Sequence, residues 1–329
     1  MFVQATPSNF CLDPMTARLI MKLRVAQARY TASDVLHLTL VHPRKSELPA
    51  WTPGAHVDLR LPDGRVRQYS LCGDPQDRSR YEIAIKREMA GRGASVWAHA
   101  HLTEGTLAHV SAPRNNFPLA EGARRTILIA GGIGITPFVS MARKLEGEGA
   151  DFELNLCAAS PAATPLLPEL RALCGERLKT WFSREGRRFD TAAIEPYGDR
   201  GHLYVCGPPR LLEPTLARAR AIGWPGASVH TEVFKPLVDE NFKPEPFDAF
   251  IASTGAVLHV PADRTLLDVL RANGLATASS CELGVCGTCV CGYRSGRVIH
   301  RDVILPLASR QDRMTPCVSR AHVSITLDL

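Results

Sequence analysis

The fold and chemistry of this chain are decided by one stretch near its C-terminus, Ser279-Ser280-Cys281-Glu282-Leu283-Gly284-Val285-Cys286-Gly287-Thr288-Cys289. Its cysteines follow the pattern C-x4-C-x2-C, and a fourth cysteine, Cys317, lies 28 residues after the last of them. This is the plant-type ligand spacing for a [2Fe–2S] cluster, whose irons bind soft thiolates. The two glycines lack a Cβ, so the backbone can approach a cluster closely and direct amide N–H groups at its sulfurs. The sequence therefore predicts a cluster held by Cys281, Cys286, Cys289 and Cys317, with Cys291 outside the ligand set.

Three other origins of a cysteine-rich segment fit this pattern less well. A structural zinc site usually presents two C-x2-C pairs, whereas only Cys286 and Cys289 form such a pair here. A disulfide framework belongs to short secreted chains, whereas this chain has 10 cysteines in 329 residues and no recognisable signal peptide. Scattered buried thiols would give this spacing, with its intervening glycines, only by chance.

Length and composition indicate a globular protein of two or three domains. The hydrophobic share of 45% and the charged share of 22% are typical of soluble proteins. No apolar run approaches the roughly 18 residues that span a membrane, and residues 1–20 lack an apolar core, so we expect a cytoplasmic protein. The net charge of +6 is spread along the chain without a nucleic-acid-binding motif, so we expect neither a nucleic-acid nor a membrane partner.

Residues 1–121 are predicted to form a small antiparallel β-barrel. Residues 21–42 alternate between apolar and polar side chains, as half-buried strands do. Pro53-Gly54 and Pro62-Asp63-Gly64 mark turns between further short strands. Many short strands separated by Gly and Pro turns are typical of such barrels.

Residues 122–235 are predicted to form a doubly wound α/β domain. Apolar runs predict parallel strands over residues 126–130, 152–158, 178–182 and 202–206. A helix over residues 138–145 should follow the first strand, with Thr136 as its N-cap and Pro137 at its first position. Strands that alternate with helices form a parallel sheet, whose ligands bind at the carboxyl ends of the strands.

The remaining residues are predicted to form a linker and a small α+β domain. Residues 236–247 contain three prolines among charges, which is typical of a linker. Residues 248–329 should provide two opening strands, a helix over residues 266–273 ended by Gly274, the cysteine loop, and a closing strand over residues 323–328.

Two glycine turns follow strands of the predicted parallel sheet. Gly131, Gly132 and Gly134 lie between a strand and a helix, where backbone amides and the helix N-terminus can hold a pyrophosphate. Cys206-Gly207-Pro208 ends a later strand at the same edge. The first turn is not a full G-x-G-x-x-G, and a tight turn that only packs a helix on a strand is an equal alternative.

Two segments of the predicted barrel suit a phosphorylated ring compound. Arg67, Tyr69 and Ser70 offer a guanidinium for a phosphate, an aromatic face for a flat ring, and a hydroxyl for a ring heteroatom. Residues 91–95, Gly-Arg-Gly-Ala-Ser, can place backbone amides and a hydroxyl on the same phosphate. The alternatives are an ordinary exposed strand for the first segment and a hairpin turn for the second.

The order of these motifs resembles the phthalate dioxygenase reductase family, to which vanillate O-demethylase reductases belong. The matching motifs are Arg67-x-Tyr69-Ser70-Leu71, residues 91–95, residues 131–137, Cys206-Gly207-Pro208, Thr231-Glu232-x-Phe234 and the cysteine loop, from about residue 22 to the end. The resemblance implies an FMN-binding β-barrel, an NADH-binding α/β domain and a plant-type ferredoxin domain of the β-grasp type. It also implies that a separate Rieske non-haem iron oxygenase receives the electrons.

The resemblance further implies roles for individual residues. It places Arg67, Gln68, Tyr69 and Ser70 on the flavin, Ala84, Ile85 and Lys86 along its ring, and Arg92, Gly93, Ala94 and Ser95 at its phosphate. Thr136 and Phe234 would close over the flavin from the nucleotide domain. The cluster ligands are those predicted from the spacing, and Cys291 has no counterpart among them. No residue is assigned as a catalytic acid or base.

Redox chemistry explains why one chain would need all three centres. A nicotinamide releases two electrons as a hydride, a cluster accepts one at a time, and a flavin can split the pair. We therefore expect a monomeric NADH-dependent reductase of three domains. FMN is expected rather than FAD, because the phosphate loop is compact and no extra segment for an adenosine tail is apparent. The alternatives are a reductase of this build that serves another acceptor, and a redox-sensing iron–sulfur module.

Two further predictions concern specificity. After the second parallel strand, residues 158–161 offer no basic group for a 2′-phosphate, so NADH is expected over NADPH unless Arg184, Arg187 and Arg188 reach that site. Arg294, Arg297 and Arg301 follow the cysteine loop and are predicted to form a basic rim that docks an acidic patch on the partner. The alternative for this rim is an ordinary solvated turn.

Overall fold

The computed structural model describes residues 19–91, 93–196, 200–234, 241–275 and 277–329. Its first sheet is antiparallel, in the order β4-β3-β6-β1-β2-β5, with β7 paired to β3. A bridge between Leu71 and Ile83 joins the end of β4 to β5 and closes the sheet, which confirms the predicted barrel. The strands are β1 (Ile20–Ala32), β2 (Val35–Val41), β3 (Ala55–Arg60), β4 (Val66–Ser70), β5 (Arg80–Lys86), β6 (Leu107–Ser111) and β7 (Arg114–Asn115), with one helix, α1 (Ala94–His101).

The start of α1 corrects one of the two interpretations of residues 91–95. Gly93 is the N-cap of α1 and has a φ of +81°, so this segment leads into a helix and is not a hairpin turn. Gly93 has no side chain that could cap the helix, so the first amide groups of α1 receive no hydrogen bond from their N-cap residue.

The second sheet is parallel, in the order β10-β9-β8-β11-β12. All four predicted strands are confirmed. A fifth strand, Val229–Glu232, lies at the edge of the sheet; it was not predicted because only one of its four residues, Val229, is apolar. The elements are β8 (Arg125–Gly131), α2 (Thr136–Gly147), β9 (Phe152–Ala158), α3 (Leu167–Cys174), β10 (Leu178–Phe182), β11 (Gly201–Cys206), α4 (Pro209–Ala221) and β12 (Val229–Glu232).

The predicted N-cap of α2 is wrong. A 3-10 turn, Gly132–Ile135, runs directly into α2, so Thr136 already has helical dihedrals and Ile135 is the N-cap. The Thr136 hydroxyl donates to the Ile133 carbonyl, 3.1 Å away, instead of accepting from a backbone amide.

The third sheet is mixed, in the order β14-β13-β17-β15-β16, with β13 and β17 parallel and the other pairs antiparallel. The predicted helix is confirmed and ends before Gly274, which has a φ of +74°. Thr265 and Asp268 form a capping box at its start. The elements are β13 (Phe247–Ile251), β14 (Val257–Val260), α5 (Leu266–Ala272), β15 (Cys291–Ile299), β16 (Arg313–Met314) and β17 (Arg320–Leu327).

Residues 236–240 of the predicted linker lie outside the described residues. Residues 241–246 contain no helix or strand, and they lie against the third sheet. The Arg301 guanidinium is 3.7 Å from the centroid of the Phe242 ring, and Arg320 Nη2 donates to the Glu245 carbonyl over 2.9 Å.

The barrel has a hydrophobic core of its own, and a second core is shared between the barrel and the parallel sheet. Ala84 and Phe117 from the barrel side are buried in the same cluster as Phe138, Leu156 and Tyr204 from the parallel sheet and its helices. The core of the third sheet is separate and begins at Phe247. Within the described residues, no helix is long and apolar enough to cross a membrane.

Candidate functional site

The four cysteines predicted as ligands are brought together as two pairs of sulfurs. Cys289 Sγ lies 3.3 Å from Cys317 Sγ, and the side chains of Cys281 and Cys286 are hydrogen-bonded to each other. All four residues are buried, at 4–9% exposure. The structure thus joins the loop to a cysteine that is distant in sequence, as the spacing predicted.

Backbone amides of the loop point at these sulfurs. The Leu283 amide nitrogen lies 3.3 Å from Cys281 Sγ, and the Thr288 amide nitrogen lies 3.5 Å from Cys286 Sγ. The loop achieves this by turning through left-handed residues, with φ of +56° at Glu282, +72° at Gly284 and +69° at Gly287. Amides directed at cluster sulfurs are one of the means by which proteins set a reduction potential.

Each sulfur pair contains one thiol whose pKa is lowered towards the thiolate, which is the form that binds metal. The hydrogen bond from Cys281 lowers the pKa of Cys286 to about 5, and the hydrogen bond with Cys317 lowers the pKa of Cys289. The pKa values of Cys281 and Cys317 are raised, because each shares its proton with its partner and both are buried.

The arrangement fits a two-iron cluster better than a single ion. Two separate pairs of sulfurs are what a [2Fe–2S] cluster needs, because each iron takes two protein ligands. The buried amide donors and the two sulfur pairs therefore fit the predicted cluster.

Cys291 lies outside this set. It begins β15, pairs in register with Met314 and belongs to the apolar core of the third sheet. Burial raises the pKa of its thiol to about 12, so it stays protonated. Its position supports the prediction that it is not a ligand.

The four residues predicted on the flavin lie along β4, but with different surroundings. Tyr69 packs against the barrel core, and burial raises the pKa of its hydroxyl to about 12. Arg67 Nη1 donates to the Val66 carbonyl over 2.7 Å, and Gln68 Nε2 lies 3.0 Å from His56 Nε2. Ser70 is buried, and its side chain interacts with the Glu232 carboxyl and partly offsets the rise in the pKa of that group.

The neighbouring predicted contacts lie on β5 and at the start of α1. Ala84 is buried in the shared core, Ile85 is buried in the barrel core, and Lys86 is half-exposed between Asp34 and Glu88. Gly93, Ala94 and Ser95 open α1, and the Ser95 hydroxyl accepts from the Glu88 amide at 3.0 Å. Arg92, predicted at the phosphate, lies outside the described residues.

The two glycine turns of the parallel sheet are packed against each other. A Cβ on Gly134 would lie 2.3 Å from the Cys206 carbonyl oxygen, and one on Gly131 would lie 2.6 Å from Cδ of Pro208. A Cβ on Gly207 would come within 3.0 Å of the Gly131 backbone. These glycines are therefore required by packing, whereas Gly132, with a φ of +56°, faces open space at the start of α2.

Thr136 and Phe234, predicted to close over the flavin, both border the shared core. Thr136 is buried at the start of α2, and Phe234 packs against the cluster that contains Ala84. Phe234 therefore packs against the core that also contains Ala84 of the barrel strand β5.

Sequence reasoning missed the importance of Glu232, which ends β12. Burial raises the pKa of its carboxyl to about 8. Its Oε2 is buried and has no hydrogen-bond partner within the described part of the chain, although the residue as a whole is half-buried. The neighbouring Cys206 thiol also has a raised pKa, because it is buried and lies near Glu232. A protonated carboxyl beside Ser70 thus lies between the two sheets, and only the matching motif around it pointed to this position.

Comparison with known proteins agrees with this geometry. A sequence profile described as a 2Fe-2S iron-sulfur cluster binding domain matches residues 249–322, which confirms the predicted cluster domain. The chain is 42% identical to the vanillate O-demethylase oxidoreductase of Pseudomonas putida, over 85% of this chain and 90% of that relative.

Solved structures extend the likeness to the whole architecture. Phthalate dioxygenase reductase, described as a modular structure for electron transfer from pyridine nucleotides to [2Fe-2S], matches with a TM-score of 0.76 and 36% identity, over 94% of this chain and 98% of that one. An intact type IV self-sufficient cytochrome P450 monooxygenase matches with a TM-score of 0.80 and 35% identity over 94% of this chain. This chain spans only 41% of the length of that monooxygenase.

Proposed function

Because this chain belongs to the phthalate dioxygenase reductase family, we propose that it passes electrons from NADH through FMN and a [2Fe–2S] cluster to the oxygenase of a multicomponent system. The observation that carries the proposal is that the proposed flavin, nucleotide and cluster sites lie next to one another on one chain. Ala84 of the barrel is buried together with Tyr204 of the parallel sheet, and Asp58 on β3 accepts a hydrogen bond from Ser280 beside the cysteine loop.

FMN would bind between β4, β5 and the start of α1. The uncapped amides at the start of α1, with Arg92, would hold its phosphate, since helix N-termini attract anions. Arg67, Gln68, Tyr69 and Ser70 would position the ring, and Ala84, Ile85 and Lys86 would lie along it. Because Ile85 directs its side chain into the barrel core, its contribution would come from the backbone. When bound, the flavin supplies the exchange between two-electron and one-electron chemistry.

NADH would bind at the carboxyl edge of the parallel sheet. Gly131, Gly132, Gly134 and the start of α2 would face its pyrophosphate, and Cys206, Gly207 and Pro208 would border its nicotinamide end. The close packing of the two turns fixes this edge before the nucleotide arrives. Thr136 and Phe234 would close over the flavin from the nucleotide domain and keep water from the reacting face.

The preference for NADH over NADPH depends on the surroundings of β9 and β10. Residues 158–161 contain no basic side chain, but the Arg184 amide donates to the Ala159 carbonyl at 3.0 Å, so that arginine lies next to the end of β9. Arg187 is engaged with Glu185 at 2.9 Å. We propose NADH as the donor, with Arg184 as the residue to test.

The cluster would be held by Cys281, Cys286, Cys289 and Cys317. Its partner oxygenase is proposed to be of the Rieske non-haem iron type, with a transient contact to the monomeric reductase. An alternative acceptor is a cytochrome P450, because the same architecture forms part of an intact P450 monooxygenase. A redox sensor is less well supported, because a sensor has no need of a site for a hydride donor.

Two of the three arginines of the proposed basic rim already have partners within the chain. Arg294 is ion-paired with Asp328, and Arg301 is stacked on Phe242. Arg297 is exposed on β15 and is the member of the rim best placed to meet an acidic partner. The rim therefore offers less free positive charge than the sequence suggested.

Spectroscopy of the holoprotein, identification of its flavin and reconstitution with candidate acceptors test the proposed function. The absorption spectrum of the purified holoprotein should show flavin and iron–sulfur bands that bleach on addition of NADH, and the cofactor released on denaturation should be FMN. Reconstitution with a Rieske oxygenase, and separately with a P450 that lacks its own reductase, would assign the acceptor. Failure of NADH to bleach the flavin, or release of FAD, would contradict the proposal.

A further inference from the structure

One buried side chain links the barrel to the cysteine loop. Asp58 on β3 is 5% exposed, and its Oδ1 accepts a hydrogen bond from the Ser280 hydroxyl at 2.7 Å. Ser280 is 1% exposed and immediately precedes the predicted ligand Cys281. The two residues are 222 positions apart in sequence, so the contact joins the barrel to the cluster domain.

The Asp58 carboxylate is held in place by groups of the barrel. Arg114 Nη2 donates to its Oδ1 at 2.6 Å, and Gln68 Nε2 approaches the same oxygen at 3.4 Å. The Asp58 amide is bonded to the Ser111 hydroxyl at 2.9 Å. A buried carboxylate needs such partners, because removing a charge from water is costly unless it is paired.

The position of Asp58 in the sheet connects this contact to the proposed flavin site. In the β3–β4 register, Asp58 lies directly opposite Gln68, and His56 lies opposite Ser70. The strand that carries the proposed flavin contacts is therefore one hydrogen-bonded strand away from the residue that holds the cysteine loop. The path from β4 through Asp58 and Ser280 to Cys281 consists of direct contacts.

We propose that Asp58 and Ser280 form a latch that positions the cluster for electron transfer from the flavin. This inference rests on the proposed function, in which one electron at a time passes from the reduced flavin to the oxidised cluster. Asp58 is a positioning residue and takes no part in the chemistry. Since the rate of electron transfer falls steeply with distance, loosening the latch should slow that one step.

The test uses full-length holoprotein in four single variants and one double variant, Ser280→Ala with Asp58→Asn. Ser280→Ala removes the donor, Asp58→Asn removes the charge, and Ser280→Thr keeps the hydroxyl as a rescue. Thr265→Ala is the matched control, because it removes the capping box of α5 in the same domain without contacting the barrel. Iron content and the visible spectrum establish that each variant retains its cluster.

Amide hydrogen exchange over residues 277–283 measures how often the latch opens. We expect protection there to fall about tenfold in Ser280→Ala, equivalent to about 1.4 kcal/mol, and to be retained in Ser280→Thr. The effects of Ser280→Ala and Asp58→Asn should not add in the double variant, because both break one contact. Thr265→Ala should raise exchange in α5 and leave residues 277–283 unchanged.

Stopped-flow mixing with NADH measures the electron-transfer step. Ser280→Ala should slow reduction of the cluster severalfold while reduction of the flavin and the potential of the cluster stay unchanged. Unchanged exchange and unchanged cluster reduction in Ser280→Ala would overturn the proposal, as would an equal slowing in Thr265→Ala. If NADH fails to reduce the flavin in the unaltered protein, the proposed function fails, while the exchange measurement still decides whether the latch exists.

Discussion

Replacing Gly284 by alanine should damage the cluster site far more than its size suggests. A Cβ at this position would lie 2.6 Å from Cγ2 of Val318 and 3.1 Å from Cα of Asp302. The left-handed φ of +72° costs an alanine about 1–2 kcal/mol, and overpacking adds about 1–3 kcal/mol. We therefore expect Gly284→Ala to destabilise the third domain by about 2–5 kcal/mol.

The damage should reach the fourth ligand. Val318 follows Cys317 directly, and the Gly284 amide is directed at the Cys317 sulfur, so moving either one disturbs that thiolate. The assay is iron per chain, the visible spectrum of the cluster and thermal unfolding of the holoprotein. We expect a clear loss of iron together with a lower unfolding temperature.

Gly255→Ala is the matched control for this substitution. Gly255 lies in the same domain with a φ of +71°, but a Cβ there would meet no heavy atom within 4 Å. It should therefore show only the backbone cost of about 1–2 kcal/mol and normal iron content. If the two variants lose the same stability and iron, the steric reasoning about Val318 and Asp302 is refuted.

The other predictions concern individual side chains. Cys286→Ser should strip the cluster yet leave NADH reduction of the flavin intact, and Cys291→Ser should keep normal iron content; iron loss in the second variant would show that the ligand set is wrong. The folded-state pKa of Glu232, about 8, lies above its usual 4.5, so the stability gained from its proton is complete below pH 4.5 and is lost as pH rises through about 8. Chemical denaturation should therefore show that Glu232→Gln flattens the decline in stability between pH 5 and 9, and an unchanged slope would contradict the assignment. The kcat/KM for NADH should exceed that for NADPH. If NADPH is preferred instead, and Arg184→Ala restores the preference for NADH, the recognition of NADPH is assigned to that arginine. Arg297→Glu should slow reduction of the partner oxygenase at low salt and leave flavin reduction unchanged, whereas equal partner reduction would remove this docking surface.

The sequence was most informative where one local pattern sufficed to determine the structure. The cysteine spacing with its glycines predicted both the cluster domain and the sulfurs that meet, and the apolar run at residues 152–158 predicted β9 to the residue. β15 was missed because Gly292, Gly296 and exposed arginines interrupt the alternation by which a strand is recognised. β12 was missed because it is short and half-exposed at an edge.

Contacts between distant segments were beyond sequence reasoning. Glu232 acquires its raised pKa only because the barrel buries it beside Ser70, and Asp58 acquires a role only because β3 meets the cysteine loop. Residues 91–95 were undecided between a phosphate loop and a hairpin, and the helix that follows decided their conformation. Thr136 was misplaced because a 3-10 turn continues into α2 and moves the helix boundary by one residue.

The core shared by the barrel and the parallel sheet has a consequence for how this protein unfolds. Because Ala84 and Phe117 are buried with Phe138 and Tyr204, neither sheet can lose its packing without exposing the apolar surface of the other. The third sheet keeps a core of its own that starts at Phe247. Heating should therefore melt the chain in two cooperative steps and not three, and a protease should release the cluster domain intact while leaving the flavin and nucleotide halves joined. A gene fusion made at this boundary should therefore transfer the cluster domain intact, whereas a cut between the first two sheets would expose the apolar surface that they bury together.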